Sequence, residues 1–122
     1  MSDFTEPMTS LPPEQQAIRA KCFHPTGTFE EFPKDQIEQS IPERFEQQVR
    51  KYPDWIAVKT RTRELTYDEL NRMANRVTRT ILDNRGVGQE PVALLLEDDA
   101  PMITSFLGAL KSGKLYVPLD ID

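Results

Sequence analysis

The stretch Pro91-Val-Ala-Leu-Leu-Leu96 constrains this chain most, because it is apolar at every position from Val92 to Leu96. A half-buried strand alternates apolar and polar side chains. A short run without alternation needs cover on both faces, as the central strands of parallel sheets have. Asp99 follows as a helix cap with Pro101 in the first turn, and Met102, Ile103, Phe106, Leu107 and Leu110 fall at helical spacing before Gly113 stops the helix. Leu115-Tyr-Val-Pro-Leu119 is a second strand, and Pro118 places it at an edge or near its own end. Strand, helix, strand with one short turn on each side is a βαβ unit, so the two strands are parallel and the crossover right-handed. The fold class is α/β.

Upstream of that unit the punctuation is equally regular. Ser40-Ile41-Pro42-Glu43 is a capping box, and Ile41, Phe45, Val49 and Tyr52 follow as one helical stripe ending at Pro53-Asp54. Trp55-Ile-Ala-Val-Lys59 and Glu64-Leu-Thr66 read as a β-hairpin around the polar turn Thr60–Arg63. Thr66-Tyr-Asp-Glu69 is a second capping box. It opens a helix with Leu70, Met73, Ala74, Val77, Ile81 and Leu82 on one face, Arg85 in its last turn and Gly86 just past it. Trp55 and Tyr67 are read as packing residues of this hairpin region.

Residues 1–39 differ in composition. They hold half of the prolines and little core material, apart from one weak helical patch, Pro13 to Lys21. Pro25, Gly27 and Pro33 break any regular element beyond that patch. This segment is expected to be an extended or disordered amino-terminal arm, with Phe23, Phe29, Phe32 and Ile37 available to dock in apolar grooves, and residues 40–122 to form the folded part.

Several functions are excluded by composition. Lys+Arg 15 against Asp+Glu 20 gives a formal charge of −5, the wrong sign for a nucleic-acid binder. One Cys allows no internal disulfide, and Cys22 with His24 supplies only two of the roughly four ligands of a structural zinc site. The single His leaves no Ser/His/Asp triad. No basic leader with an apolar run opens the chain, and five consecutive apolar residues fall far short of a membrane span, so a cytoplasmic chain without membrane attachment is expected.

Three local patterns carry candidate chemistry. Gly108-Ala-Leu-Lys-Ser-Gly113-Lys114 has P-loop spacing, but Leu115 lacks the hydroxyl that holds Mg²⁺. The order is also inverted: a helix ends there, so no helix amides face a phosphate. Gly113 reads better as a C-terminal cap. Glu97-Asp98-Asp99 lies at the carboxyl end of a strand, where α/β sheets bind ligands, yet a solvated turn with Asp99 as cap explains it. Arg72, Arg76 and Arg79 line one helix face and are read as a solvent face pairing with Glu69 and Asp83. From these residues no catalytic, cofactor-binding or metal-ligating position is assigned.

Together the segments resemble a known family. Leu65-Thr-Tyr-Asp-Glu-Leu70 is similar to the first core motif of amino-acid adenylation domains, and Asn71-Arg-Met-Ala-Asn-Arg76 resembles its asparagine-containing continuation. Leu110-Lys-Ser-Gly-Lys-Leu-Tyr-Val-Pro-Leu-Asp120 is similar to the second core motif, and Ile41-Pro-Glu-Arg-Phe45 with Pro53-Asp54 resembles the helix that opens such domains. The resemblance covers about residues 40–122 and leaves the arm as the family's lead-in. Ser112 and Lys114 replace the small residues usual beside the glycine, a mild departure, because a surface turn accepts polar side chains.

The resemblance implies the amino-terminal piece of an AMP-dependent synthetase/ligase of the kind found in nonribosomal peptide synthetases. Its parent reaction joins an amino acid to ATP as an aminoacyl adenylate, with Mg²⁺, and passes the acyl group to a phosphopantetheine thiol on a carrier protein. The family's phosphate loop, adenine and ribose contacts, amino-acid pocket and catalytic lysine have no counterpart in these residues. The chain is therefore expected to be inactive alone and to bind neither ATP nor metal. It is expected to pair with the remainder of its domain, and to be prone to self-association through exposed strand edges. Met1 leads to the expectation that no condensation domain precedes it. Three alternatives remain at this stage: a catalytically silent α/β binding module, a split subunit, and a fragment of an acyl-CoA ligase. Tyr116-Val-Pro-Leu-Asp120 suits the amino-acid branch better than the last.

Overall fold

The computed structural model describes residues 12–21, 32–97 and 99–119. The chain divides into two compact units, Met1–Ile37 and Glu38–Asp122. In the first, α1 spans Pro13–Lys21, the weak helical patch of the sequence. A 3-10 turn follows at Lys34–Glu38, where an interruption was expected. Pro33 starts this turn rather than merely breaking structure: its carbonyl accepts from the Gln36 amide at 3.0 Å. Phe32 and Ile37 are exposed. Cys22, Phe23, His24 and Phe29, the ligand and docking candidates of this segment, lie outside the described residues.

In the second unit both capping boxes form. Ser40 caps α2 (Ile41–Lys51): the Glu43 amide donates to its hydroxyl, and the Ser40 amide donates to the Glu43 carboxylate at 2.9 Å. That backbone donor holds the Glu43 carboxyl below its ordinary pKa. Thr66 caps α3 (Tyr67–Arg85) in the same way, with Glu69 reaching back to the Thr66 amide at 2.9 Å. Between them β1 (Ile56–Lys59) and β2 (Glu64–Thr66) pair antiparallel, Val58 opposite Leu65 and Lys59 opposite Glu64. The Thr60 hydroxyl accepts from the amides of Thr62 and Arg63 and so closes the turn.

Val58, Leu65, Leu70 and Ala100 form the buried cluster, with Phe45, Ala57, Met73 and Leu107 packed on it. Tyr52 stacks on Trp55 at 3.9 Å between ring centres, and Phe45 meets Tyr67 at 6.1 Å, so both aromatics flanking the hairpin are packing residues. α3 crosses α4 (Ala100–Lys111) closely at Gly108. A Cβ there would lie 2.5 Å from Val77 Cγ1, and the Thr78 hydroxyl donates to the Gly108 carbonyl at 2.9 Å.

β3 (Pro91–Leu95) and β4 (Leu115–Leu119) pair parallel, in register from Pro91↔Leu115 to Leu95↔Leu119, as a two-stranded sheet. The expectation of burial on both faces does not hold. Leu94 is buried, but Leu95 is 60% exposed and every residue of β4 is exposed. One crossover helix covers one face, and among the described residues no layer covers the other. Among the described residues no helix is long and apolar enough to cross a membrane.

Candidate functional site

The P-loop-like segment is built from helix and turn. Gly108 lies inside α4, against Val77. Gly113 follows the cap residue Ser112 with φ +76, the left-handed conformation of a helix terminator, and nothing lies within 4 Å of where its Cβ would be. The amides of Ser112, Gly113 and Lys114 donate to the carbonyls of Gly108, Leu110 and Ala109, at 3.1, 3.0 and 3.1 Å, so they are already used within the turn.

Ser112 and Lys114 correct the reading of this turn as a surface feature. Both are buried, Ser112 at 7% and Lys114 at 3% exposure. The Ser112 hydroxyl donates to the Ala109 carbonyl at 2.6 Å. The Lys114 ammonium donates to the carbonyls of Gly86 and Gly88, at 2.8 and 2.6 Å, and lies 3.3 Å from Glu90 Oε1. Its three protons are thus matched by three acceptors. Arg85 grips the same carboxylate through both oxygens, at 3.1 and 2.7 Å. The Arg85 guanidinium first, and the Lys114 ammonium second, hold the Glu90 carboxyl down to about 2. This cluster ties the loop after α3 to the turn after α4, at the entry of both parallel strands.

A second lysine forms a comparable node. Lys111, with a side chain 5% exposed, donates to Glu46, Asn71 and Asn75 at 2.8, 2.6 and 2.7 Å, joining α2, α3 and α4. Asn71 and Asn75 lie off the apolar stripe of α3, yet their carboxamides receive this buried charge. Sequence reasoning assigns neither lysine a structural role. The signal existed for Lys114, since the parallel register that sets Leu115 beside Pro91 also sets Lys114 beside Glu90. For Lys111 the only signal was the i,i+4 pair of asparagines.

The acidic run behaves as a cap: Asp99 Oδ1 accepts from the Ala100 amide at 2.8 Å, Glu97 is exposed, and Asp98 lies outside the described residues. Among the described residues no group of three His, Cys, Asp or Glu side chains is arranged to hold a metal ion. On the arginine face, Arg72 pairs with Asp68 at 2.8 Å rather than with Glu69, whose carboxylate is taken by the capping box. An apolar recess of about 390 Å³ lies between α2, the hairpin, the start of α3, α4 and β4, lined among others by Phe45, Tyr67, Ile103, Phe106, Leu110 and Tyr116. It offers surface for packing and no group for chemistry.

A capped hairpin–helix followed by a parallel βαβ unit, with the two motif segments at Leu65–Leu70 and Leu110–Leu119, is the arrangement of the opening part of the amino-terminal subdomain of adenylate-forming enzymes. The chain belongs to the AMP-binding enzyme family, whose model matches residues 45–122. It is 40% identical over 111 residues to surfactin synthase subunit 1 of Bacillus subtilis, covering 90% of this chain and 3% of that protein. It is 36% identical over 121 residues to N-(5-amino-5-carboxypentanoyl)-L-cysteinyl-D-valine synthase of Amycolatopsis lactamdurans, covering 97% of this chain and 3% of that one. The chain therefore spans about one thirtieth of the length of these relatives. Among solved structures, the N-terminal subdomain of NpsA from Klebsiella oxytoca has the same fold, with a TM-score of 0.63 at 23% identity over 66% of this chain and 21% of that one. The anthranilate CoA ligase AuaEII matches with a TM-score of 0.61 at 28% identity, over 65% of this chain and 15% of that one.

Proposed function

We propose that this chain is the opening scaffold of an amino-acid-activating adenylation domain of nonribosomal-peptide-synthetase type, and that it contributes packing rather than catalytic groups. The observation that carries the reading is the match to peptide synthetases at 36% and 40% identity over nearly the whole chain. In the complete enzyme an amino acid carboxylate attacks the α-phosphorus of ATP, giving aminoacyl adenylate and pyrophosphate. The acyl group then moves to the phosphopantetheine thiol of a carrier protein, releasing AMP.

The described residues do not fit the groups that this reaction uses. Lys114 and Lys111 are consumed by internal acceptors, Asp99 caps a helix, and Gly113 terminates one. Their roles are structural, and the reading gives them no part in the reaction. ATP, Mg²⁺, the amino acid and the carrier protein belong to the remainder of the domain and its neighbours. The likeness to anthranilate CoA ligase favours one second reading, the same scaffold in an acyl-CoA ligase, where an aryl or acyl acid replaces the amino acid.

The test is ATP–pyrophosphate exchange. The purified chain gives no amino-acid-dependent exchange above a buffer blank. The same chain joined to the remainder of an adenylation domain from surfactin synthase supports exchange with an amino acid. Exchange by the isolated chain refutes the scaffold reading. Exchange by the joined protein with only an aryl or acyl acid favours the second reading.

A further inference from the structure

The three helices of the larger unit are held by different means. α3 and α4 approach so closely at Gly108 that no Cβ fits there, and the Thr78 hydroxyl of α3 donates to the Gly108 carbonyl. α3 buries Leu70 and Ala74, and α4 buries five residues. Of its eleven residues α2 buries only Val49. It supplies no member of the buried cluster, and Phe45, which packs on that cluster, is only partly buried. Apolar contact therefore holds α3 to α4 firmly and α2 weakly.

A polar contact makes up the difference. Lys111, in the last turn of α4, keeps its side chain 5% exposed and donates to Glu46 Oε1 of α2 at 2.8 Å. Its other two protons go to Asn71 and Asn75 of α3. Among these acceptors only the Glu46 carboxylate is charged. The same ammonium lies 5.9 Å from the centre of the Phe45 ring, so two residues of α2 meet one buried cation. Arg50 reaches the other Glu46 oxygen at 3.9 Å from an exposed position, where an ion pair contributes little. A buried ammonium stripped of its carboxylate is left with neutral acceptors alone, a costly state.

The ends of α2 suit movement as a body. Its far corner is fixed, because the amides of Tyr67 and Asp68 donate to the carbonyls of Trp55 and Pro53 at 2.9 and 3.0 Å. The pivot falls at the cap residue Tyr52, with φ −138 and ψ 57. At the other end the Gln47 carboxamide donates to Gln39 at 2.6 Å, so the residue before the Ser40 cap travels with the helix. Ile41 and Phe45 line the α2 side of the 390 Å³ recess, opposite Phe106, Leu110 and Tyr116 among others.

We infer that α2 is a strap that opens on its own about Tyr52, that Lys111 is its latch through Glu46, and that opening turns the recess into an exposed apolar groove. The inference holds whatever reaction the complete protein runs. Residue-resolved amide hydrogen exchange of the chain in low urea tests it. The Val49 and Arg50 amides exchange about tenfold or more faster than those of Val77 and Thr78 in α3, with little urea dependence, the mark of a local opening. Lys111→Met keeps the apolar stem and removes the ammonium. It speeds the α2 amides by about a further tenfold, changes the α3 amides by less than about threefold, and raises the fluorescence of the apolar dye anilinonaphthalene sulfonate. Glu46→Gln, which preserves nearly every packing atom, has the same selective effect and decides the matter where Lys111→Met does not fold. Arg50→Gln changes α2 exchange by less than about threefold. One common rate for α2 and α3 in the unaltered chain overturns the strap. Equal acceleration of both helices, or unchanged α2 exchange, in the folded Lys111 or Glu46 variant overturns the latch. Selective acceleration without added dye fluorescence overturns the opening of the recess.

Discussion

The hairpin with its helix and the βαβ unit use the same ingredients and end in opposite states. In β1 and β2 the inward residues Val58 and Leu65 are 8% and 5% exposed, because α3 and α4 close over a two-stranded ribbon that needs only one face covered. In β3 and β4 nine of the ten strand residues are at least partly accessible, although their sequence is the more apolar. An antiparallel hairpin can be finished by the helices next to it in the chain, whereas a parallel pair rich in leucine demands a second layer. Stability in this chain is therefore concentrated on one side and interaction potential on the other.

The sharpest way to break that contrast is to truncate one leucine on each side. Leu70, 3% exposed in the buried cluster, is expected to cost about 2–5 kcal/mol as Leu70→Ala, the range for emptied core sites. Leu119→Ala, at a residue 45% exposed, is expected to change stability by about 0.5 kcal/mol or less. Urea denaturation of both variants measures the difference. Equal losses would mean that the βαβ sheet is as well packed as the hairpin and would dissolve the comparison.

The Lys114 cluster is the exception on the βαβ side, a tightly satisfied polar site beneath an open sheet. Lys114→Met leaves two carbonyls and part of the Glu90 carboxylate without their donor, and is expected to cost about 1–3 kcal/mol in the same assay. The cluster also carries a pH signature. Glu90 is held at about 2, below its ordinary 4.5, so its contribution is complete above pH 4.5 and is lost as pH falls toward 2. Glu90→Gln flattens that part of the acid limb. An unchanged acid limb would remove Glu90 from the account.

How much of this was legible follows from the range of each interaction. Both capping boxes, the Thr60–Arg63 turn and the three helices of the larger unit were readable because each rests on residues a few positions apart, and the parallel pairing because a strand–helix–strand order with short turns leaves no other arrangement. The roles of Lys111 and Lys114 were not, because their acceptors lie 24 to 65 residues away. The run Val92–Leu96 correctly indicated a strand that needs two covered faces. The missing second cover was legible too, because the crossover helix reaches one face only and no further helix is available after it. The candidate site fared likewise: the P-loop-like spacing was rejected on the order of its elements, yet Lys114 was mistaken for a surface residue, because burial depends on the loop carbonyls at Gly86 and Gly88.

Gly113 sharpens the comparison at the turn between α4 and β4. With φ at +76 and open space around the missing Cβ, Gly113→Val suffers from backbone strain alone, about 1 kcal/mol or somewhat more. Melting is expected to drop accordingly. Equilibrium dialysis with ATP is expected to give no binding for either protein. An unchanged melting point with loss of ATP binding would restore the phosphate-loop reading.

The smallest effect in the isolated chain is expected at Leu95, and it becomes large only on completion. Leu95 is 60% exposed on the uncovered face, so Leu95→Ser removes little buried area and lowers stability by about 0.5 kcal/mol or less. Joined to the remainder of the domain, the same side chain is expected to gain cover from the added residues. Burying a leucine fully is worth roughly 1.5–3 kcal/mol, so the substitution should then cost an amount of that order. Denaturation of four proteins, with and without the substitution and with and without the remainder, isolates the coupling as a double-mutant cycle does. A cost that stays small in the joined protein would show the face still open to solvent, and the two halves of the molecule would then differ in composition alone.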